Sequence, residues 1–274
     1  MIQSRAMLAT LSISQWTARK QDKKVSREVE SSHGAHDAGK YNKLLVNKSL
    51  LEPLSKLAGQ VREYHYFNTL AWADSGARLL PSQLFMDYVG KIRGFKEQFG
   101  KLVKQLQADY PSEVATARSR LGTMYDPADY PAAWELSDRF GITVEFMPVP
   151  DGKDFRVDVA DEMQDELRTS VTQAVAARQA DAVKATYTRV QEVVSKIQAR
   201  LSVHDAVFKD SLIENARDLC IVLSALNITD DPKIVEVQEA IERHLLVDPE
   251  SLRRDSVYRR RVADKAQGIL AMLP

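Results

Sequence analysis

A run of 42 residues from Asp161 to Ser202, with no proline and no glycine, constrains this chain more than any other feature. Met163, Leu167, Val171, Val175, Val183, Tyr187, Val190, Val194, Ile197 and Leu201 recur along it at helical spacings. A helix of that length rises roughly 60 Å, about twice the width of a small domain. Its stability has to come from packing of the apolar side, so the run demands partner helices. The tail offers them. A helical pattern covers Asp205 to Leu226, a second opens at Asp231 with Pro232 behind it, and a third at Asp248 with Pro249. Aspartate before proline suits a helix start, because the carboxylate accepts an orphan amide while proline has none to leave unpaired.

The first 160 residues read as mixed. Met7 to Trp16 alternates, with Ala9, Leu11 and Ile13 on one face, which is a strand pattern. Thr17 to Lys40 is polar and basic, ends in small residues, and reads as a loop. Leu50, Leu54, Leu57 and Val61 make a helical stripe between Tyr41 and Trp72, with Pro53 in an early turn. After the turn-like DSGARLLP, a second amphipathic helix is expected from Pro81 to Ala108, with shorter ones near Ser112–Leu121 and Pro131–Phe140. Ile142, Val144 and Phe146 alternate, Asp151 and Gly152 make a turn, and Phe155, Val157 and Val159 alternate again, which predicts a β-hairpin.

The expected fold class is therefore mainly α: an extended helical bundle with long antiparallel helices and a small three-stranded antiparallel sheet. The texture divides the chain into 1–160, mixed α/β with a basic loop at 17–40 and a hairpin at 142–159, and 161–274, a long-helix bundle. These are two domains or one continuous one.

With 44% hydrophobic and 28% charged residues the composition is that of a soluble globular protein. The single cysteine, Cys220, lies in the apolar run from Leu219 to Leu223 and reads as a small buried hydrophobe. No apolar stretch approaches the ~18 residues of a membrane span, and the start is too polar for a signal peptide. The expectation is a cytoplasmic protein, in the host cytoplasm if phage-encoded, with no membrane partner.

An equal count of 38 basic and 38 acidic residues conceals a segregation. Residues 1–106 hold 17 Lys and Arg against 9 Asp and Glu, residues 107–168 hold 6 against 14, and residues 169–274 hold 15 of each. The basic excess gathers at Arg19, Lys20, Lys23, Lys24 and Arg27, followed by Lys40, Lys43 and Lys48, with Trp16, Tyr41, Tyr64, Tyr66, Phe67 and Trp72 interspersed. Arg253, Arg254, Arg259, Arg260 and Arg261 form a second cluster on the last expected helix.

Two functions fit these charges. Segregated charge supports head-to-tail self-association and docking on an acidic protein. Cations that track phosphates beside rings that stack on bases support single-stranded DNA or RNA binding.

Other motifs fall short. Gly34–Tyr41 matches a phosphate-binding loop through Lys40 but has Tyr41 in place of the Ser or Thr, and no apolar strand precedes it. Gly94–Lys101 has one residue too many between its glycines. His33, His36 and Asp37 have no further ligand at metal-site spacing. The acidic run Asp158, Asp161, Glu162, Asp165 and Glu166 suits the start of the long helix. With no nucleophile elbow or zinc-protease helix, the reading is non-enzymatic, without cofactor or metal.

An opening strand ending in S-I-S-Q-W-T-A-R-K, a polar loop, helices around N-K-S-L-L-E-P-L, and R-L-L-P before a long helix together resemble a family of uncharacterised phage and bacterial proteins. Genes of that family often lie near those of MoxR-type ATPases and von Willebrand A-domain proteins. The resemblance covers roughly residues 7–160 and implies a phage or bacterial adaptor beside a ring ATPase. It carries over no catalytic residue.

Overall fold

The structure is a computed structural model describing residues 2–151, 161–203 and 207–274. In chain order its elements are β1 (Ala6–Ser14), β2 (Arg19–Gln21), α1 (Lys23–His33), β3 (Asn42–Leu44), α2 (Lys48–Asn68), β4 (Leu70–Ala71), β5 (Ala77–Pro81), α3 (Phe85–Leu121), β6 (Gly141–Pro148), α4 (Asp161–Leu201), α5 (Ser211–Leu226), α6 (Pro232–His244), α7 (Pro249–Arg254) and α8 (Ser256–Leu270). The protein is mainly α with small antiparallel sheets.

Two compact units interleave in sequence. The first comprises Met1–Thr10, His65–Tyr88 and Glu145–Pro274, and the second Leu11–Tyr64 and Val89–Val144. The chain leaves the first unit and returns to it twice, whereas the change of texture at residue 160 divides it into consecutive parts.

In the first unit the long run forms one helix, α4, of 41 residues. Its C-terminal half buries Val190, Val194, Ile197 and Leu201 in a cluster with Ile213 and Leu223 of α5, Ile241 of α6, Leu252 of α7 and Val262 and Ile269 of α8. Farther back, Val175 and Ala182 join Leu8, Leu70 and Leu79 of the sheet and Trp72 just after β4, with Val222 and Leu226 of α5. The start of α5 thus sits with the end of α4 and its end with the middle of α4, so α5 runs antiparallel to it. The partners are short, since α5 has 16 residues and α8 has 15. Asp231 and Asp248 cap α6 and α7 as expected, accepting from Lys233 and Ser251 amides at 2.9 Å in each case. The last expected helix is broken at Asp255, which caps α8 by accepting from the Tyr258 amide at 2.8 Å.

The sheet has four strands in the order β4-β5-β1-β6, not three. β6 lies beside β1 as expected, while the return strand expected at Phe155–Val159 falls outside the described residues. The other edge of β1 is taken by β5, with Ala6 opposite Pro81 and Thr10 opposite Ala77, and β4 pairs with β5 in turn. The turn between them is closed by the Ala73 amide donating to Ala77 and the Gly76 amide to Ala73, with Gly76 at φ 87°. These strands are too short to alternate, and β5 is buried at nearly every position, so their period was invisible.

In the second unit, the expected loop at 17–40 is β2 followed by α1. Asp22 caps the helix, accepting from the Lys24 and Val25 amides at 3.1 Å, and Gly34 ends it at φ 61° while the Ala35 amide reaches back to Glu30. The polar composition hid these two end signals. The helix expected over Tyr41–Trp72 is confined to α2 and flanked by β3 and β4. Its Leu54, Leu57 and Val61 are buried as the stripe requires.

The break expected before Ser112 does not occur, because α3 continues through Pro111. Proline forfeits one backbone bond there, but Leu106, Tyr110, Ala117 and Leu121 keep a common buried face on both sides. Ala133–Arg139 forms 3-10 turns in place of a short α-helix.

If burial on α4 holds the first unit together, Ile197→Ala should cost about 2–5 kcal/mol, whereas Ile221→Ala, on the open face of α5 at 68% exposure, should stay within about 0.5 kcal/mol. Chemical denaturation of the two variants checks this.

Candidate anionic-partner interface

In the second unit β2 and β3 form a separate antiparallel ribbon, with Lys20 opposite Lys43, and α1 rises between them. Lys43 fixes this segment. Its Nζ lies 2.7 Å from Asp129 Oδ2 and 3.8 Å from Asp22 Oδ2, and donates to the Met124 carbonyl at 2.6 Å. Lys43 is 6% exposed and therefore leaves the set of partner-binding residues; it is an internal anchor. Arg120 donates to the Leu44 and Leu45 carbonyls at 2.9 and 3.1 Å, and the Tyr130 hydroxyl to Leu45 at 3.0 Å. The Tyr41 amide donates to Ser26 Oγ at 3.0 Å, joining α1 to the start of β3.

No residue of α1 is buried. Lys23, Lys24 and Arg27 share one exposed side, since 23 to 27 and 24 to 27 are helical-neighbour spacings. With Glu28, Ser31 and Ser32 they line a shallow open depression. Arg19, Lys40 and Lys48 are also exposed, and Lys20 is exposed but 3.8 Å from Asp129. Among the described residues, Arg19, Lys23, Lys24, Arg27, Lys40 and Lys48 have no carboxylate oxygen within 4.0 Å. Two lysines in the first turn oppose the helix dipole, so they do not serve the stability of α1.

The C-terminal arginines lie in the first unit, and the structure ties two of the five, Arg253 and Arg259, to neighbouring elements. Arg253 is held by Asp210, by Glu250 at 3.2 Å and by the Phe208 carbonyl at 3.2 Å, with its guanidinium 5.2 Å over the Phe208 ring. Arg259 is buried and donates to the Leu252 carbonyl at 3.0 Å, closing the end of α7. Arg254 pairs with Glu250 at 3.1 Å and Arg260 with Asp264 at 3.8 Å, both in the open. Arg261 is exposed, with no carboxylate oxygen within 4.0 Å among the described residues. Arg253 and Arg259 therefore tie the short helices together, whereas Arg254, Arg260 and Arg261 are surface cations.

Of the aromatic residues, Trp16 packs edge-on to Tyr110 at 5.9 Å, Tyr64 against Phe95 at 5.9 Å, and Trp72 is buried. Tyr41, at 42% exposure, is the aromatic residue of the β2–α1–β3 segment.

A second basic grouping, in the first unit, joins residues far apart in sequence. Arg189 of α4 donates to the carbonyls of Tyr66 at 2.8 Å, Phe67 at 2.9 Å and Thr69. Arg78 of β5 donates to Thr69 Oγ1 at 2.7 Å and to the Thr69 carbonyl at 3.1 Å, and lies 4.8 Å over the Tyr66 ring. Arg178 lies 5.5 Å over Trp72. Burial lowers both the Arg78 and Arg189 guanidiniums, and with the charge of Arg78 beside it Arg189 falls to about 10. Next to them, burial and Arg78 push His65 down to about 4, and its Nδ1 lies 2.7 Å from the Tyr88 hydroxyl. No spacing in the sequence links positions 78, 178 and 189; the hairpin and α4 bring them together.

Among the described residues no group of three His, Cys, Asp or Glu converges as a metal site, and no helix is long and apolar enough to cross a membrane. Cys220 is buried, and burial pushes its thiol up to about 12. Gly34 closes α1, so Gly34–Tyr41 follows a helix where a phosphate-binding loop follows a strand. Compared with protein-family models, curated proteins and solved structures, the chain matches none.

Lys43→Met removes the buried cation shared by Asp22 and Asp129, leaving only the exposed Lys20 3.8 Å from Asp129, and should destabilise the protein by about 3–5 kcal/mol, against less than about 0.5 kcal/mol for Lys23→Ala or Arg27→Ala. Urea denaturation of these variants tests the division between anchor and free surface. Folding holds His65 neutral, so acid favours the unfolded chain, which takes up the proton first. From pH 6.5 down to 4 this group should remove roughly 2–3 kcal/mol of stability. The stability difference between wild type and His65→Phe, followed across that range, should change by that amount and stay flat above it.

Proposed function

We propose that this chain is a non-enzymatic assembly or adaptor protein of a phage or bacterium that docks acidic protein surfaces through the β2–α1–β3 segment. The observation that carries this reading is the exposed side of α1, where Lys23, Lys24 and Arg27 stand beside Glu28 but have no carboxylate oxygen within 4.0 Å among the described residues. The ribbon below is tied down by Lys43, Arg120 and Tyr130, so the charges are presented on a fixed base, which lowers the ordering cost of binding. Exposed Val29 and Tyr41 add apolar area beside the charges.

A second copy is one acidic partner: Asp165 and Glu166 stand exposed near the start of α4, and a basic patch meeting them makes a head-to-tail contact. The family resemblance adds a ring ATPase as the heterologous partner, in the cytoplasm. Single-strand binding by this segment is the weaker reading, because stacking needs rings beside the cations and the segment offers Tyr41 alone.

Light scattering should show a particle well above 30.8 kDa at low salt that shrinks as salt screens the contact, and Lys23→Glu/Lys24→Glu/Arg27→Glu should be smaller under all conditions. A 30.8 kDa species at every salt and concentration would remove the self-association, and an ATPase captured equally by wild type and triple variant would remove the docking role of α1.

A further inference from the structure

We infer that the first unit carries an oxyanion site at Arg78 and Arg189, with Tyr66 as a stacking face, that takes the phosphate and base of a nucleotide unit. The hairpin β4–β5 delivers Arg78 and α4 delivers Arg189 to the C-terminal end of α2, where their guanidiniums engage the carbonyls of residues 66, 67 and 69. A helix end carries about half a negative charge, which one guanidinium more than matches. Two stand here, each half-buried, and among the described residues neither has a carboxylate oxygen within 4.0 Å. The carbonyls satisfy hydrogen bonds and Glu192 offsets part of the Arg189 charge from beyond 4.0 Å, but two guanidiniums still leave the grouping with an excess positive charge, which an anion can neutralise. A planar guanidinium suits a phosphate because its fork of donors matches two oxygens.

Donors remain for such a ligand. Arg78 bonds through Nε and Nη2, and Arg189 through Nη1 and Nη2. Arg78 Nη1 and Arg189 Nε have no acceptor among the described residues. Tyr66 is 51% exposed although Arg78 sits over its ring, and Phe67 beside it is also exposed. A phosphate on the guanidiniums with a base against Tyr66 uses both features, and such stacking tolerates any base.

The test uses the full chain at low salt, with inorganic phosphate, thymidine 5′-monophosphate and a ten-residue oligothymidylate as probes, read by thermal shift and by quenching of intrinsic fluorescence. The nucleotide is expected to raise the melting temperature and to bind more tightly than phosphate. Arg78→Gln should weaken both about tenfold, and Tyr66→Leu should weaken the nucleotide while leaving phosphate unchanged. Tyr66 is exposed, so this second variant keeps the test valid if Arg78→Gln loosens the end of α2. A single strand is the source if the oligonucleotide binds far more tightly than the monomer and with a steep salt dependence, and a free nucleotide if it does not. Lys23→Glu/Lys24→Glu should leave the phosphate and mononucleotide affinities unchanged, which separates this site from the docking surface on α1. Absence of binding by every probe at millimolar concentration, or binding indifferent to both Arg78→Gln and Tyr66→Leu, would overturn the proposal.

Discussion

The first unit depends on burial along one side of α4. A helix of 41 residues has no stability of its own that would keep Val175, Val194 or Ile197 in water, so every neighbouring element is arranged to cover it. Coverage comes in two stretches. Toward the C-terminus, the short helices α5 to α8 enclose Val190 to Leu201; toward the N-terminus, the inner face of the sheet and the end of α5 enclose Val175 and Ala182. Because several short helices share the work, their ends must be closed locally. Asp231, Asp248 and Asp255 do that by capping helix starts, and the buried Arg259 does it by closing the end of α7.

The same economy of charge separates structural from available cations elsewhere. Lys43 is enclosed by Asp129, Asp22 and the Met124 carbonyl, and Arg120 reaches the Leu44 and Leu45 carbonyls from the surface; both hold a ribbon in place, whereas Lys23, Lys24 and Arg27 lie on a helix that buries nothing. Arg78 and Arg189 stand between these extremes, since they close a helix end yet exceed the charge that end presents. An unmatched cation is open to an anionic partner, and both proposals follow from that contrast.

Legibility in the sequence followed the length and regularity of each pattern. α4 was readable end to end because its run is long and unbroken, and the caps at Asp231 and Asp248 because aspartate before proline has a local meaning. β4 and β5 were not, since strands of two and five residues cannot show a period. α1 was masked by its polarity, although Asp22 and Gly34 marked both its ends. Pro111 suggested a break that packing on both sides overrides. Within the candidate surface, Lys23, Lys24 and Arg27 were readable as a local cluster. Lys43 belongs to the same run by position, and only the approach of Asp129 from another part of the chain made it internal.

What the sequence determined by itself is therefore what local chemistry controls: a mainly helical chain, one very long amphipathic helix in need of partners, capped helix starts, and a basic excess near residue 20. The tertiary structure decided which charges remain free. Burial and ion pairing are properties of residues that meet across long separations, such as Lys43 with Asp129 or Arg189 with the end of α2, and no local pattern encodes those meetings.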